Sequence, residues 1–336
     1  MRVCFFVRIR DREIVDRNEF YAVDMRILKE LGHELTLTTS AWWVPRAELY
    51  FVWWWTWAFF PLALAKLARR PVMIVGVFDH VMQDGTLEWY PARPKWHQWM
   101  IRQCLLRADA NVVSSTDQQR YLQRHFSVRG LHYCPLVIDT KLYSPGSGHR
   151  ENILLTFCWM QSGNSRRKAI REMIRAMARL HPTFPELRLL ICGERGSDYP
   201  ELHRLTAELG AQGYVEFPGV VSRERKIELM QRCAAYLQPT FGEGFGVAIL
   251  EAMSCGAPVV TSPVGAVPEV AGDTVVMVTG SEPLDIARGV TELLTQPKLA
   301  ADLGARARER AVRLYSYERR KSDLKRIISS LFQSSC

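Results

Sequence analysis

Short β-rich runs alternate with helix-period stretches from the first residues to Leu294, and this alternation constrains the fold more than any other feature. Strands separated by helical crossovers pair in parallel, with helices covering both faces of the sheet. In the first half the pattern predicts strands over 2–7, 34–38, 49–55, 72–77 and 110–114. A helix over 20–31 ends at Gly32, the residue type that suits a helix C-terminus. The alternation restarts at Asn152, with strands predicted over 152–157, 187–192, 214–217, 234–238, 258–261 and 274–278. Helices are predicted near 168–180, 199–209, 223–232, 245–254 and 284–294, and the chain beyond reads as helical to Phe332. Ser144-Pro-Gly-Ser-Gly-His149 separates the halves with a linker composition.

The expected architecture is α/β: two doubly wound Rossmann-like domains facing a cleft. The terminal helices, which follow a finished sheet, are expected to cross back to the first domain. At 336 residues the chain is long enough for two cores, and the boundaries predicted are 1–145, 151–315 and 316–336. Net charge is +9, but unevenly spread: residues 1–150 and 306–336 each carry +6, and residues 151–305 carry −3. That excess alone does not separate a nucleic acid from an anionic membrane or a phosphorylated substrate. No stripe of basic and stacking aromatic residues occurs, so no nucleic-acid partner is expected.

The eight cysteines are scattered, with no Cys-x-x-Cys pair, and most stand in apolar runs. Such usage suits reduced thiols in a cytoplasmic protein. The start, Met1-Arg-Val-Cys-Phe-Phe-Val7, is too short and too soon charged for a signal peptide. Residues 49–65 form a run of 17 without charge, and six of the ten Trp lie between Trp42 and Trp57. That length is at the lower edge of the roughly 20 residues a membrane span needs, and Pro61 interrupts it. A buried strand followed by a helix is the favoured interpretation, with Trp exposed as an interfacial patch left open beside it.

The densest chemical signal is Leu237-Gln-Pro-Thr-Phe-Gly-Glu-Gly-Phe-Gly-Val-Ala-Ile-Leu-Glu-Ala-Met-Ser-Cys-Gly-Ala-Pro-Val-Val260. A strand ends, a glycine-rich turn follows, and a helix begins; unpaired amides and the helix dipole make such a start an anion site. Glu243 stands in the turn and Glu251 eight residues later, about 12 Å along a helix and about 80° around it. Two carboxylates flanking an anion site suit a sugar nucleoside diphosphate, whose hydroxyls lie at both ends. Plain turn geometry for the glycines and a solvated helix face for Glu251 are the bland alternatives.

This segment resembles the Glu-x7-Glu signature of retaining family 4 (group 1) glycosyltransferases, which have the GT-B fold. Leu189-Leu-Ile-Cys-Gly-Glu194, Val215-Glu-Phe-Pro-Gly-Val220 and Val264-Gly-Ala-Val-Pro-Glu-Val270 resemble further motifs of that family. The resemblance implies that Glu243 contacts donor sugar hydroxyls, while Gly244, Phe245 and Gly246 amides hold sugar and distal phosphate. It also implies that Glu251 binds the ribose and that the loop containing Gly219 and Val220 faces the base. Lys168 matches the family's phosphate-binding Lys. A cation there neutralises the leaving diphosphate, so no metal or other cofactor is expected; the chain also lacks an Asp-x-Asp motif. The Arg that relatives carry before this Lys is missing, leaving Arg166 or Arg167 to replace it. The Gly-Gly turn after the first strand is replaced by a charged loop, Arg8 to Asn18.

Many relatives place a His past the fourth strand, near the reacting carbon; here Val77-Phe-Asp-His80 offers Asp79 or His80. Either could serve the reaction or cap the following helix. The expectation is therefore a retaining, metal-independent transferase moving sugar from a nucleotide sugar, a UDP- or GDP-sugar by preference, to a hydroxyl. The acceptor is expected to be a glycan, a glycolipid or lipid-linked. The alternatives are a nucleotide-sugar 2-epimerase and a non-enzymatic membrane-associated sugar-binding protein. Localisation is expected to be cytoplasmic, with peripheral attachment to an anionic inner membrane face suggested by the flanking positive charge and the Trp cluster.

Overall fold

The computed structural model describes residues 1–333 except 10, 11, 13, 14, 16, 17, 79, 81–89 and 162. Two compact units emerge, one comprising Met1–His80, Glu88–Asp139 and Tyr315–Cys336, the other built on Thr140–Leu314. Each contains a six-stranded sheet in which every pairing is parallel.

In the first unit the strands are β1 (Arg2–Val7), β2 (Glu34–Thr38), β3 (Leu49–Trp53), β4 (Val72–Gly76), β5 (Ala110–Val113) and β6 (Leu131–Tyr133), ordered β2-β1-β3-β4-β5-β6. All residues of β3, β4 and β5 are buried, which is why they read as apolar runs, broken only by Asn111 of β5, whose side chain is hydrogen-bonded to Trp55 and Leu105. The edge strand β6 escaped the sequence pattern because it has only three residues, all half-buried. β3 stops at Trp53 because Trp54 takes a left-handed φ of 73°, a turn that removes it from the ladder. The Trp cluster consequently divides: Trp53 and Trp55 are core, whereas Trp42 and Trp43 are exposed. Among the described residues no helix is long and apolar enough to cross a membrane.

In the second unit the strands are β7 (Glu151–Phe157), β8 (Arg188–Cys192), β9 (Val215–Gly219), β10 (Cys233–Gln238), β11 (Val259–Thr261) and β12 (Val276–Met277), ordered β12-β11-β10-β7-β8-β9. Helix Ile170–Leu180 buries one side against this sheet's core, with Ile170, Met173, Ile174, Met177 and Leu180 spaced along that face.

The unit boundary falls at Asp139/Thr140, before the Pro/Gly/Ser stretch rather than within it. Side chains of the second unit explain why. Arg308 donates to the carbonyls of Thr140 and Tyr143, both at 2.8 Å. Ser254 Oγ donates to Tyr143 O at 2.7 Å, and Gln231 Nε2 to Ser144 O at 2.7 Å. Helix Tyr317–Gln333 belongs to the first unit. Its Arg320 is buried and forms a bidentate pair with buried Asp24, Nε to Oδ1 at 2.6 Å and Nη2 to Oδ2 at 2.8 Å.

Candidate functional site

The strand order of the second sheet reverses between β7 and β10: later strands β8 and β9 extend one way, β11 and β12 the other. Crossovers from β7 and β10 therefore diverge, and the loops at their carboxyl ends bound a crevice where doubly wound sheets take their ligands. The two loops are tied together across that point. The Phe241 N–H and the Thr240 hydroxyl both donate to Arg167 O at 2.8 Å. Arg167 Nη1 donates to Gly242 O at 2.9 Å.

Charged side chains concentrate here. Arg167 meets Glu243 at 3.1 Å and also donates to Asn164 Oδ1 at 2.9 Å. Gln238, the buried last residue of β10, donates to Glu243 Oε2 at 2.6 Å and accepts from the Tyr236 hydroxyl at 2.8 Å. Lys168 Nζ donates to Phe157 O, at the end of β7, at 2.8 Å. Glu251 is buried and paired at 2.5 Å with Lys226, whose ammonium also lies 5.4 Å from the Phe157 ring centroid. Three cations, Arg167, Lys168 and Lys226, thus gather around two carboxylates at the end of β7.

Their ionisation follows from this crowding. Burial would raise the Glu243 carboxyl, but Arg167 and Lys168, with hydrogen bonds from Arg167 and the Phe245 amide, hold it below the usual carboxylate range. Burial, reinforced by the Arg167 guanidinium, lowers Lys168 below the ordinary lysine value despite the opposing influence of Glu243. With all five groups ionised the cluster carries one positive charge in excess.

Local backbone makes this geometry. Lys168 follows the four-residue helix Asn164–Arg167, and Ala169 then adopts φ 54°, ψ 39° before helix Ile170–Leu180 begins. A left-handed alanine costs about 1–2 kcal/mol and turns the chain so that Arg167 and Lys168 face the crevice. Gly246, at φ 92°, opens helix Val247–Ser254, whose first-turn amides have no intrahelical acceptor. Gly265 is required by close approach, because a Cβ there would lie 2.0 Å from Glu243 O.

Not all the expected residues join this cluster. Arg167 turns inward while Arg166 is exposed on the same short helix. Gly219 ends β9 at φ 83° and its carbonyl accepts from Gly193 N–H at 2.8 Å, leaving Val220 exposed beyond it. Phe245 is buried. In the first unit His80 has both ring nitrogens engaged, Nδ1 with Phe78 O and Nε2 with Asp117, each at 2.9 Å. The ring also packs 4.4 Å from Tyr121; His80 thus holds the start of helix Thr116–His125. Asp79 lies outside the described residues. Sequence inspection missed Lys226, Gln238 and Asn164. A polar Gln closing an apolar strand was a usable signal for Gln238, whereas Lys226 sits undistinguished in Arg223-Glu-Arg-Lys226.

A pair of parallel, doubly wound units, one with a cationic crevice at its switch point, defines the GT-B class, and known proteins agree. Two solved structures match the whole chain: sucrose-phosphate synthase from Thermosynechococcus elongatus (TM-score 0.80, 18% identity, 99% of each chain) and HepE of Anabaena in complex with UDP and glucose (TM-score 0.77, 17% identity, 98% of this chain and 100% of that one). Residues 160–310 match the family model described as glycosyl transferases group 1. An MMP α-(1→4)-mannosyltransferase of Mycolicibacterium hassiacum is 30% identical over 191 residues, 56% of this chain and 45% of that protein. A D-inositol 3-phosphate glycosyltransferase of Nocardiopsis dassonvillei is 28% identical over 253 residues, 69% of this chain and 58% of that protein. The chain thus spans about half the length of these curated relatives. Residues 160–310, with the signature residues they contain, are thus similar to the group 1, or family 4, glycosyltransferases.

Proposed function

We propose that the protein is a retaining, metal-independent glycosyltransferase that moves a sugar from a nucleoside-diphosphate sugar to a hydroxyl acceptor. The observation that carries this reading is the gathering of Arg167, Lys168 and Lys226 with Glu243 and Glu251 at the β7/β10 switch point. In this reading Glu251 accepts hydrogen bonds from the ribose hydroxyls and Glu243 orients the donor sugar. Lys168, Arg167 and the amides opening helix Val247–Ser254 balance charge on the leaving diphosphate, the part a metal ion plays elsewhere. The leaving phosphate, so held, accepts the proton of the incoming hydroxyl on the same face, which retains the anomeric configuration.

The similar HepE structure contains UDP and glucose, which favours a UDP-sugar, with a GDP-sugar the next candidate. The acceptor in this reading is a glycan, a glycolipid or lipid-linked, reached beside an anionic membrane; the chain's similarity to a mannosyltransferase and to a D-inositol 3-phosphate glycosyltransferase supports a hydroxyl acceptor. A thermal-shift and hydrolysis screen of UDP-, GDP- and ADP-sugars tests the proposal, because a ligand that binds only the folded chain raises its melting temperature. Stabilisation by one nucleotide class, with slow hydrolysis of its sugar, is expected. No shift with any of them would overturn the reading.

A further inference from the structure

We propose that the outer face of the first unit formed by helices Phe59–Leu67 and Lys95–Arg107, together with Trp42, docks on an anionic lipid bilayer. This deepens the membrane-side acceptor reading above. Four of the five exposed Trp among the described residues lie in this unit: Trp42, Trp43, Trp96 and Trp99. Trp42 is 86% exposed, Trp96 58% and Trp99 54%, and Leu67 adds a side chain exposed at 85%.

These groups form one surface rather than scattered points. Ring centroids lie 5.7 Å apart for Trp42 and Phe60, 6.1 Å for Phe60 and Phe59, and 5.5 Å for Phe59 and Trp99. Trp96 is joined to this group from beneath, stacking at 5.0 Å on buried His97, which lies 5.8 Å from Trp57, itself 6.4 Å from Phe60. Phe60, Leu64 and Leu67 share one face of the first helix, as Lys95, Trp99 and Arg102 do on the second.

Charge selects the partner. Segments 42–70 and 90–107 hold eight Lys or Arg against one acid, Glu48, and that carboxylate accepts from Arg2 N at 2.7 Å. Arg46, Arg69, Arg70, Lys95 and Arg102 are all exposed, and Lys95 and Arg102 share the helix face of Trp99. Indole rings partition to the headgroup level, and basic side chains are drawn to anionic headgroups, so the two features together match a lipid surface. Helices of 9 and 13 residues lie on a bilayer rather than span it, which takes about 20.

Co-sedimentation of the full chain with phosphatidylcholine vesicles, with and without phosphatidylglycerol, tests this. Pelleting with the anionic vesicles at low salt, a blue-shifted Trp emission and release at high salt are expected. Each basic group near an anionic surface contributes roughly fivefold, so Lys95→Gln/Arg102→Gln should weaken vesicle binding about 25-fold. Trp96→Ala/Trp99→Ala should reduce the emission shift, leaving the share contributed by Trp42. Thermal stabilisation by UDP or GDP, which uses residues of the other unit, should be the same in all these variants, separating this surface from the donor site. No pelleting at low salt, or pelleting unchanged by both double variants, would overturn the proposal. So would a change from dimer to monomer in the Trp variant without change in vesicle binding, which would assign the face to a second copy.

Discussion

Arg320→Met removes one member of an ion pair in which both partners are buried, Arg320 at 1% and Asp24 at 0% exposure. The guanidinium also donates to Pro135 O at 2.8 Å and Cys134 O at 3.2 Å, so the variant strands a carboxylate and two carbonyls at once. Burial opposes the charge on Arg320, yet the Asp24 carboxylate holds its pKa above the ordinary arginine value, and the bidentate geometry is that of an ion pair. Breaking such a pair costs about 3–5 kcal/mol. For a unit of this size that is roughly 6–20 °C in melting temperature. The sign of the pH dependence is equally specific. Burial already raises the Asp24 carboxyl above its usual value against the opposing charge of Arg320, and without that cation the rise is larger. Stability is then present at low pH and lost as pH rises through that folded pKa. The variant should therefore fall furthest below wild type at pH 8 and recover part of the difference at pH 5. Asp24→Leu/Arg320→Met, which removes both charges, should regain most of the loss. Calorimetry across that pH range decides it: a single variant within 1 °C of wild type, or a double variant no better than the single, would refute the reasoning.

Glu251→Ala should weaken free nucleoside diphosphate binding roughly 10–100-fold, the worth of one or two hydrogen bonds to a charged group; titration calorimetry showing unchanged affinity would exclude the ribose role. Glu243→Ala should instead depress kcat more than KM, because it misplaces the reacting sugar, and steady-state kinetics would reveal the reverse pattern. Since Arg167 and Lys168 hold the Glu243 carboxyl low against the effect of burial, activity should persist on acidification until the pH reaches that depressed value. Arg167→Met should shift the acidic limb of the pH–rate profile upward, and an unmoved limb would contradict this. Saturating chelator should leave the rate unchanged; loss restored by Mg or Mn would show that the cations do not replace a metal.

Alternation of apolar runs and helical stretches was enough to reveal two parallel sheets, because strands buried on both faces are largely apolar, as β3 and β4 are, and as β5 is apart from Asn111, whose amide is hydrogen-bonded. The Glu243 turn and the helix carrying Glu251 were equally legible, since a glycine-rich βα turn must be contiguous in sequence to work as an anion site. What the sequence could not contain was which distant groups meet there. Lys226 reaches Glu251 from a helix after β9, and Arg167 reaches Glu243 from the short helix after β7, encounters created only by the order in which the strands pack. Likewise the Trp-rich run looked uniform, and only the tertiary structure separated core Trp53 and Trp55 from exposed Trp42 and Trp43. Local periodicity encodes the elements because it depends on near neighbours, whereas a site assembled across a sheet depends on the order in which those elements pack.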